Sequence, residues 1–213
     1  MKNIFFRAIS TLLISLTFLN VTAFAFYQDV PEDHAYYGEI KTLYDNHRLP
    51  EEDYFNPDEI LLRPELFKLI IAYSESPLNE NVQLPYTDTD NNASYAKYLQ
   101  TALDLKILNP YVQNQSFNIE LQVTKYNALT NFFHALGIGT NFFYDKENFP
   151  FQDVNTDSHI AQTAFKAYEL QIFENDQPEY FRMAKRITKA EAAHYLYQIN
   201  QYSPNANFTV EVE

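Results

Sequence analysis

The sequence predicts an all-α protein built from three helix–loop–helix segments, and three observations support this fold class. A motif of the form aromatic-x-Asp-[Val/Thr] opens three stretches: "YQDVPEDHAYY", "YTDTDNNASYA" and "FQDVNTDSHIA". Apolar residues follow each motif at the spacing of one helical face. After a turn-rich loop, a second stretch with helical spacing completes each segment. A unit that recurs in this way can hardly bury its apolar faces alone, so we expect the three segments to share one core.

The opening motif places the first helix of each segment. Four residues after the motif aspartates Asp29, Asp88 and Asp153 stand the predicted N-caps Asp33, Asn92 and Asp157. Apolar residues then occupy offsets 7, 8, 11, 14 and 15 in every segment, which is the pattern of a single helical stripe. They are Tyr36, Tyr37, Ile40, Leu43 and Tyr44, then Tyr95, Ala96, Leu99, Ala102 and Leu103, then Ile160, Ala161, Ala164, Ala167 and Tyr168. The motif aspartates are predicted to organise the turn before this helix.

The second helix of each segment is expected to begin beside a basic residue. This residue is Arg63 in "LLRPE", Lys125 in "VTKYN" and Lys189 in "ITKAE". Apolar residues three, four, seven and eight positions later again form one helical stripe. They are Leu66, Phe67, Ile70 and Ile71, then Ala128, Leu129, Phe132 and Phe133, then Ala192, Ala193, Leu196 and Tyr197.

The entry to the last of these helices has the most complete signal. Thr188 and Glu191 form the pattern T-x-x-E, in which each side chain bonds the backbone N–H of the other. Thr124 can cap the corresponding helix of the second segment, whereas Leu62 in the first has no side-chain acceptor. A cation in a first turn opposes the helix dipole. Its recurrence in all three segments favours a role in ligand binding, and the alternative is a solvated position at a helix entry.

The chain is expected to divide into five parts. Residues 1–25 resemble a secretory signal peptide, because Lys2 and Arg7 are followed by a short apolar run that ends in Ala23-Phe24-Ala25. This run is short for a membrane span and is interrupted by polar residues, so we expect it to be cleaved after Ala25 and no span to remain. The alternative is a retained anchor. The three segments and a C-terminal tail follow: 26–80, 81–143, 144–202 and 203–213.

The composition indicates an acidic globular protein and excludes several functions. Of the 213 residues, 46% are hydrophobic and 16% aromatic, which is enough to bury a core. The formal net charge of −13 and the lack of a basic patch argue against nucleic acid as a partner. No cysteine is present, and the histidines lack metal-ligand spacing. No Gly-x-Ser-x-Gly motif occurs either, so we expect no enzyme activity, cofactor or metal.

These motifs resemble those of the S-layer homology family. Its repeats are similar to F-x-D-V-x-x-x-H-W-A, a helix, a Gly-Ile turn, a loop, then I-T-R-A-E and a second helix. "FYQDVPEDHAYYGEI" and "ITKAEAAHYLYQ" match this pattern in order and spacing. The resemblance extends over about residues 26–200. It implies a pseudo-threefold arrangement of the repeats around a central three-helix bundle, with grooves between the repeats.

The resemblance also implies a function. Such modules hold secreted proteins at the cell surface, in the cell wall or S-layer, by binding a secondary cell-wall polysaccharide that often carries pyruvate ketals. The basic residue of the I-T-R-A-E motif meets the negative sugar substituent, and this role falls here on Arg63, Lys125 and Lys189. The glutamate of the motif corresponds to Glu65 and Glu191. Other surface-layer proteins are further expected partners.

The chain departs from the family pattern at several positions. The protein contains no tryptophan, and the family's tryptophan position holds Ala35, Ser94 and His159. The turn glycine is absent from all three segments, and two of the three basic residues are lysines, which lack bidentate geometry. An alternative is therefore a protein-interaction or assembly module of the cell surface that keeps the scaffold without binding sugar. A third hypothesis is an exported hydrolase.

Overall fold

The structure, a computed structural model, describes residues 26–108, 115–141, 143–172 and 179–203. Within these ranges the chain forms six α-helices and no β-strand, so the all-α prediction is confirmed. Each predicted segment contains two of the helices. The predicted signal peptide and all but the first residue of the tail lie outside the described residues. The helices are α1 (Tyr37–Asp45), α2 (Arg63–Tyr73), α3 (Ala96–Asp104), α4 (Lys125–Ala135), α5 (His159–Glu169) and α6 (Lys189–Tyr202).

The second helices of the three segments form the centre of the molecule. Helices α2, α4 and α6 contact one another. The apolar stripes predicted for them are buried, except that Tyr197 is half-buried. Burial of these large aliphatic and aromatic side chains is the main source of folding free energy, at about 1.5–3 kcal/mol for each one fully buried.

The first helices lie outside this centre, and each packs on the second helix of another segment. Helix α1 contacts α6, α3 contacts α2, and α5 contacts α4. Their stripes are only partly buried, and the predicted stripe residue Tyr168 is 47% exposed. Between α1 and α6, Glu39 Oε2 and His194 Nδ1 are 2.8 Å apart, so the first and last described helices share a polar contact as well.

A closed cycle of backbone hydrogen bonds joins the segments just before their second helices. Leu61 N–H donates to the carbonyl of Ile187 (2.8 Å) and Val123 N–H to that of Leu61 (2.9 Å). Ile187 N–H donates to the carbonyl of Val123 (3.2 Å), which closes the cycle. All three residues are buried, so no water competes for these bonds. The pseudo-threefold arrangement stays a prediction, which this cycle supports.

The motif aspartates have a structural role, but not at the predicted place. Asp88 accepts hydrogen bonds from the backbone N–H groups of Phe117 (2.6 Å) and Asn118 (2.7 Å). The bonded residues lie in the loop that leads into the second helix, and not in the turn before the first. These two long-range hydrogen bonds hold the loop before the second helix against the motif that opens the segment. Asp29 binds Phe55 and Asn56 in the same way, and Asp153 binds Phe181 and Arg182.

The predicted N-caps of the first helices are wrong. The residues at the N-cap positions are Tyr36, Tyr95 and Ser158, and none makes a side-chain capping bond. The chain forms two consecutive turns after each motif before the helix begins. In the first segment, His34 N–H donates to Pro31 O and Tyr37 N–H to His34 O. The N-cap position therefore lies three residues after Asp33 and Asn92, and one residue after Asp157.

The first helices end in left-handed turns without glycine. His47, Lys106 and Gln171 have φ angles of 56°, 56° and 54°. After each turn a backbone N–H group donates back across the helix end, as Ile172 N–H does to Ala167 O (2.8 Å). Residues that have a Cβ atom therefore adopt a left-handed conformation that glycine adopts more readily.

None of the described helices has both the length and the apolar character that crossing a membrane requires.

Candidate functional site

The three basic residues predicted to bind ligand occupy the same position in their helices. Arg63, Lys125 and Lys189 are the first residues of α2, α4 and α6. Their backbone N–H groups donate to the carbonyls of Leu121 (2.9 Å), Lys185 (2.8 Å) and Glu59 (3.0 Å) of another segment. Each basic residue therefore lies at a junction between two segments. The structure does not bring the three side chains into one site, and their surroundings differ.

Arg63 lines an open cavity. Its guanidinium carbon lies 4.6 Å from the centre of the buried Phe117 ring, close enough for a cation–π contact. Among the described residues, no carboxylate lies within ion-pairing distance of this guanidinium. The cavity has a volume of about 270 Å³ and is lined by Arg63, Leu66, Phe67, Leu121, Gln122, Val123, Asn127 and Asn131. Its polar groups are one cation and three amides, which suit an anion with neighbouring hydroxyl groups.

The charge of Arg63 also reaches Tyr86, whose ring packs against Phe117. The two rings have centroids 5.0 Å apart. Burial raises the pKa of the Tyr86 phenol, and the charge of Arg63 opposes that rise.

Lys125 has no contact with solvent. Its exposed fraction is 0%, and its Nζ lies 5.2 Å from the centre of the Phe181 ring and 5.9 Å from that of Tyr195. An ammonium group enclosed by aromatic rings is stabilised by their negative faces. In this arrangement a dissolved polysaccharide cannot reach the charge without movement of the rings.

Lys189 is neutralised within the protein. Its Nζ lies 3.3 Å from Glu59 and 3.8 Å from Glu65, and its side chain is 13% exposed. These carboxylates explain how a cation is tolerated in the first turn of α6, where the helix dipole opposes it. A ligand carboxylate would have to compete with both of them.

The two glutamates predicted as ligand contacts stabilise the scaffold. Glu191 bonds the N–H of Thr188 (3.0 Å) while Thr188 Oγ1 accepts from the Glu191 N–H (3.2 Å), so the predicted capping box is confirmed. Glu191 also pairs with Lys185 at 2.5 Å. Glu65 lies 3.6 Å from the buried Lys68, in addition to its pairing with Lys189. Thr124 caps α4 as predicted, and Leu62 makes no cap.

Sequence reasoning missed the aromatic residues beneath the basic ones. A phenylalanine stands eight residues before each basic residue, and all three are buried: Phe55, Phe117 and Phe181. Aligning the segments on their basic residues would have revealed this recurrence. Asn131 was missed too, because only the folded structure shows that it lines the cavity beside Arg63 of α2.

A second, larger groove lies near Tyr98 and has the opposite electrostatic character. Its volume is about 630 Å³, and three glutamates are among the residues that line it: Glu51, Glu52 and Glu80. Burial and the neighbouring glutamates Glu52, Glu51 and Glu65 raise the pKa of Tyr98 to about 12. An acidic sugar would be repelled here, so this groove does not suit the ligand that the basic residues predict.

Comparison with known proteins identifies one family. Residues 85–125 match the family model of the S-layer homology domain. The matched stretch includes α3 and the motif around Asp88, and it ends at Lys125, the first residue of α4. Domains of this family are generally binding modules for cell-wall polysaccharides and not enzymes. No curated protein matches the chain significantly.

Proposed function

We propose that the protein is a non-enzymatic, secreted module that attaches to the cell envelope by binding an acidic secondary cell-wall polysaccharide. The observation that carries the proposal is the cavity at Arg63, where a cation lies open between two segments without a carboxylate partner among the described residues. The family match at residues 85–125 supports the ligand class. The proposal includes three repeats of this domain type within residues 26–202, and a signal peptide at residues 1–25 that directs secretion.

The chemistry of the cavity suits a sugar with a carboxylate substituent such as a pyruvate ketal. The guanidinium carbon lies 4.6 Å from the centre of the Phe117 ring, and the guanidinium N–H groups can bind a carboxylate in two parallel hydrogen bonds. The amides of Gln122, Asn127 and Asn131 are donors and acceptors for sugar hydroxyl groups. A local cation is needed, because the protein as a whole carries a formal net charge of −13 and repels anions.

A sedimentation assay with purified cell walls tests this function. The wild-type protein should bind intact walls and lose binding when the secondary polymer is stripped from them. Arg63→Ala should weaken binding by about tenfold or more, since it removes a charge-assisted bidentate contact. Arg186→Ala is a matched control, because it removes the same charge from an exposed position. Failure of the wild-type protein to bind intact walls would refute the proposal.

A second function is favoured by a different observation. Lys125 is fully buried, and Lys189 is paired with two glutamates, so two of the three basic residues do not face a ligand freely. A scaffold that had lost its sugar sites would look similar, and it could act as an assembly module for other surface-layer proteins. Binding to intact walls that survives removal of the polymer would support that alternative.

A further inference from the structure

The three junctions between segments can be compared position by position. The cavity at Arg63 is lined by residues of α2 and by residues that stand four, three and two positions before, and two and six positions after, Lys125. The cyclic backbone bonds place the corresponding residues of the next segment beside Lys125 and Lys189. At each junction, we name the gate position the residue six positions after the basic residue of the segment that packs against it. Counted from Lys125, the gate of the Arg63 junction is Asn131. Counted from Lys189 and Arg63, the gates of the Lys125 and Lys189 junctions are Tyr195 and Leu69.

The gate residue accounts for the difference between the first two junctions. Asn131 is half-buried and lines an open cavity. Tyr195 has an exposed fraction of 0%, its ring lies 5.9 Å from Lys125 Nζ, and Lys125 is fully buried. The larger side chain of Tyr195 thus fills the space beside Lys125 that corresponds to the open cavity beside Arg63. Leu69, at the third junction, is also buried, with 3% exposed.

The charges at two other aligned positions add to this difference. Both positions are counted from the basic residue of the partner segment. Two residues after it stand Asn127 at the Arg63 junction, Glu191 at the Lys125 junction and Glu65 at the Lys189 junction. Four residues before it stand Leu121, Lys185 and Glu59 in the same order. The lining of the Arg63 cavity therefore contains no carboxylate, whereas Lys189 lies within 4 Å of both glutamates at its junction. A bound anion meets net positive charge at Arg63 and close carboxylates at Lys189.

We propose that the chain binds one acidic ligand per molecule, in the Arg63 cavity, and that the gate residue determines whether a junction is open. This inference rests on the proposed function, because it assumes that an acidic sugar is the ligand. It assigns a specificity-determining role to Asn131 and a closing role to Tyr195, neither of which carries a charge.

A titration with a defined probe tests the number of sites. The probe is the methyl glycoside of a hexopyranose that carries a 4,6-linked pyruvate ketal, and binding is followed by NMR shifts of backbone and side-chain amides. We expect one saturable set of shifts, which includes the side-chain amides of Asn127 and Asn131 and the Arg63 side chain. Shifts that also saturate around Lys125 or Lys189 in the wild-type protein would overturn the single-site inference while leaving the proposed function intact. Absence of any binding would overturn both.

Substitutions at the gate position test its role directly. Asn131→Tyr should abolish binding of the probe by filling the cavity, although it removes no charge. Asn131→Ala is the control for size, because it removes the amide but keeps the cavity open, so it should weaken binding far less than Asn131→Tyr does. Unchanged binding by the Asn131→Tyr variant, or equal loss in both variants, would contradict the role of the gate.

The reverse substitution should create a site. In Tyr195→Asn the space beside Lys125 opens, and a second set of shifts should appear around Lys125 and Phe181. A folded variant that still shows one set of shifts would refute the closing role of Tyr195. Because Tyr195 is fully buried, the variant could lose its fold, and the pair of Asn131 variants then decides the question.

Discussion

Asp88 shows how a single side chain connects distant parts of a segment. Its carboxylate accepts hydrogen bonds from Ser116 Oγ (2.6 Å) and from three backbone N–H groups in the loop before α4. That loop contains Phe117, whose ring centre lies 4.6 Å from the guanidinium carbon of Arg63. The aspartate that opens the second segment thus holds the loop whose phenylalanine contacts Arg63.

The ionisation of Asp88 should therefore contribute to stability. Desolvation raises the pKa of its carboxyl group, but the hydrogen bonds from Ser116, Phe117, Ile119 and Asn118 outweigh that effect and lower the pKa to about 2. Because the pKa in the folded state lies below the unfolded value near 3.8, the contribution is fully present above about pH 4 and is lost as the pH falls to about 2.

Asp88→Asn tests this contribution by urea denaturation at several pH values. The loss of unfolding free energy relative to wild type should be greater at about pH 6 than at about pH 2, by about 1 kcal/mol after allowance for solvent screening. Asp33→Asn, at an exposed position, controls for the loss of one negative charge. A difference between wild type and Asp88→Asn that does not change with pH would contradict the assignment.

The left-handed turns at the ends of the first helices are a weakness at the scale of elements. Lys106 has a φ angle of 56° after α3, a conformation that costs free energy for a residue with a Cβ atom. Lys106→Gly should therefore raise the free energy of unfolding by about 0.5–1 kcal/mol, measured by chemical denaturation. Lys97→Gly, inside α3, should instead lower it by about 1 kcal/mol. Destabilisation by both substitutions would show that Lys106 makes a compensating interaction.

The starts of the second helices could be predicted to the residue, whereas the starts of the first helices could not. Capping by Thr188 and Thr124 is a local interaction between residues close in sequence, so the pattern alone reveals it. The first helices begin after two turns whose residues are also good N-caps, and local chemistry does not distinguish the two outcomes. The targets of the motif aspartates lie about thirty residues away, beyond the reach of any local pattern.

The candidate site was half predictable for a similar reason. Aligned spacing identified Arg63, Lys125 and Lys189 as a set. Their different surroundings depend on residues of the next segment, such as Asn131 and Tyr195, whose proximity exists only in the folded molecule.

The molecule as a whole should unfold in a single transition. Every first helix packs on the second helix of another segment, and the backbone cycle needs all three segments. Unfolding in guanidinium chloride should therefore give coincident curves by far-UV circular dichroism and tyrosine fluorescence. A chain truncated after residue 143 lacks the partner of α1 and one member of the cycle, so it should show no cooperative transition. Cooperative unfolding of that fragment would show that the segments are independent.

The contact between α1 and α6 has a consequence for a protein under load. It joins the first and last described helices, through Glu39 and His194 among others. Tension between the two ends of the chain would pull these two helices apart directly, while α2–α3 and α4–α5 remain behind them. Resistance to a pulling force is governed by the rate at which the weakest loaded contact opens. The mechanical strength of the molecule would therefore be set at the α1–α6 contact.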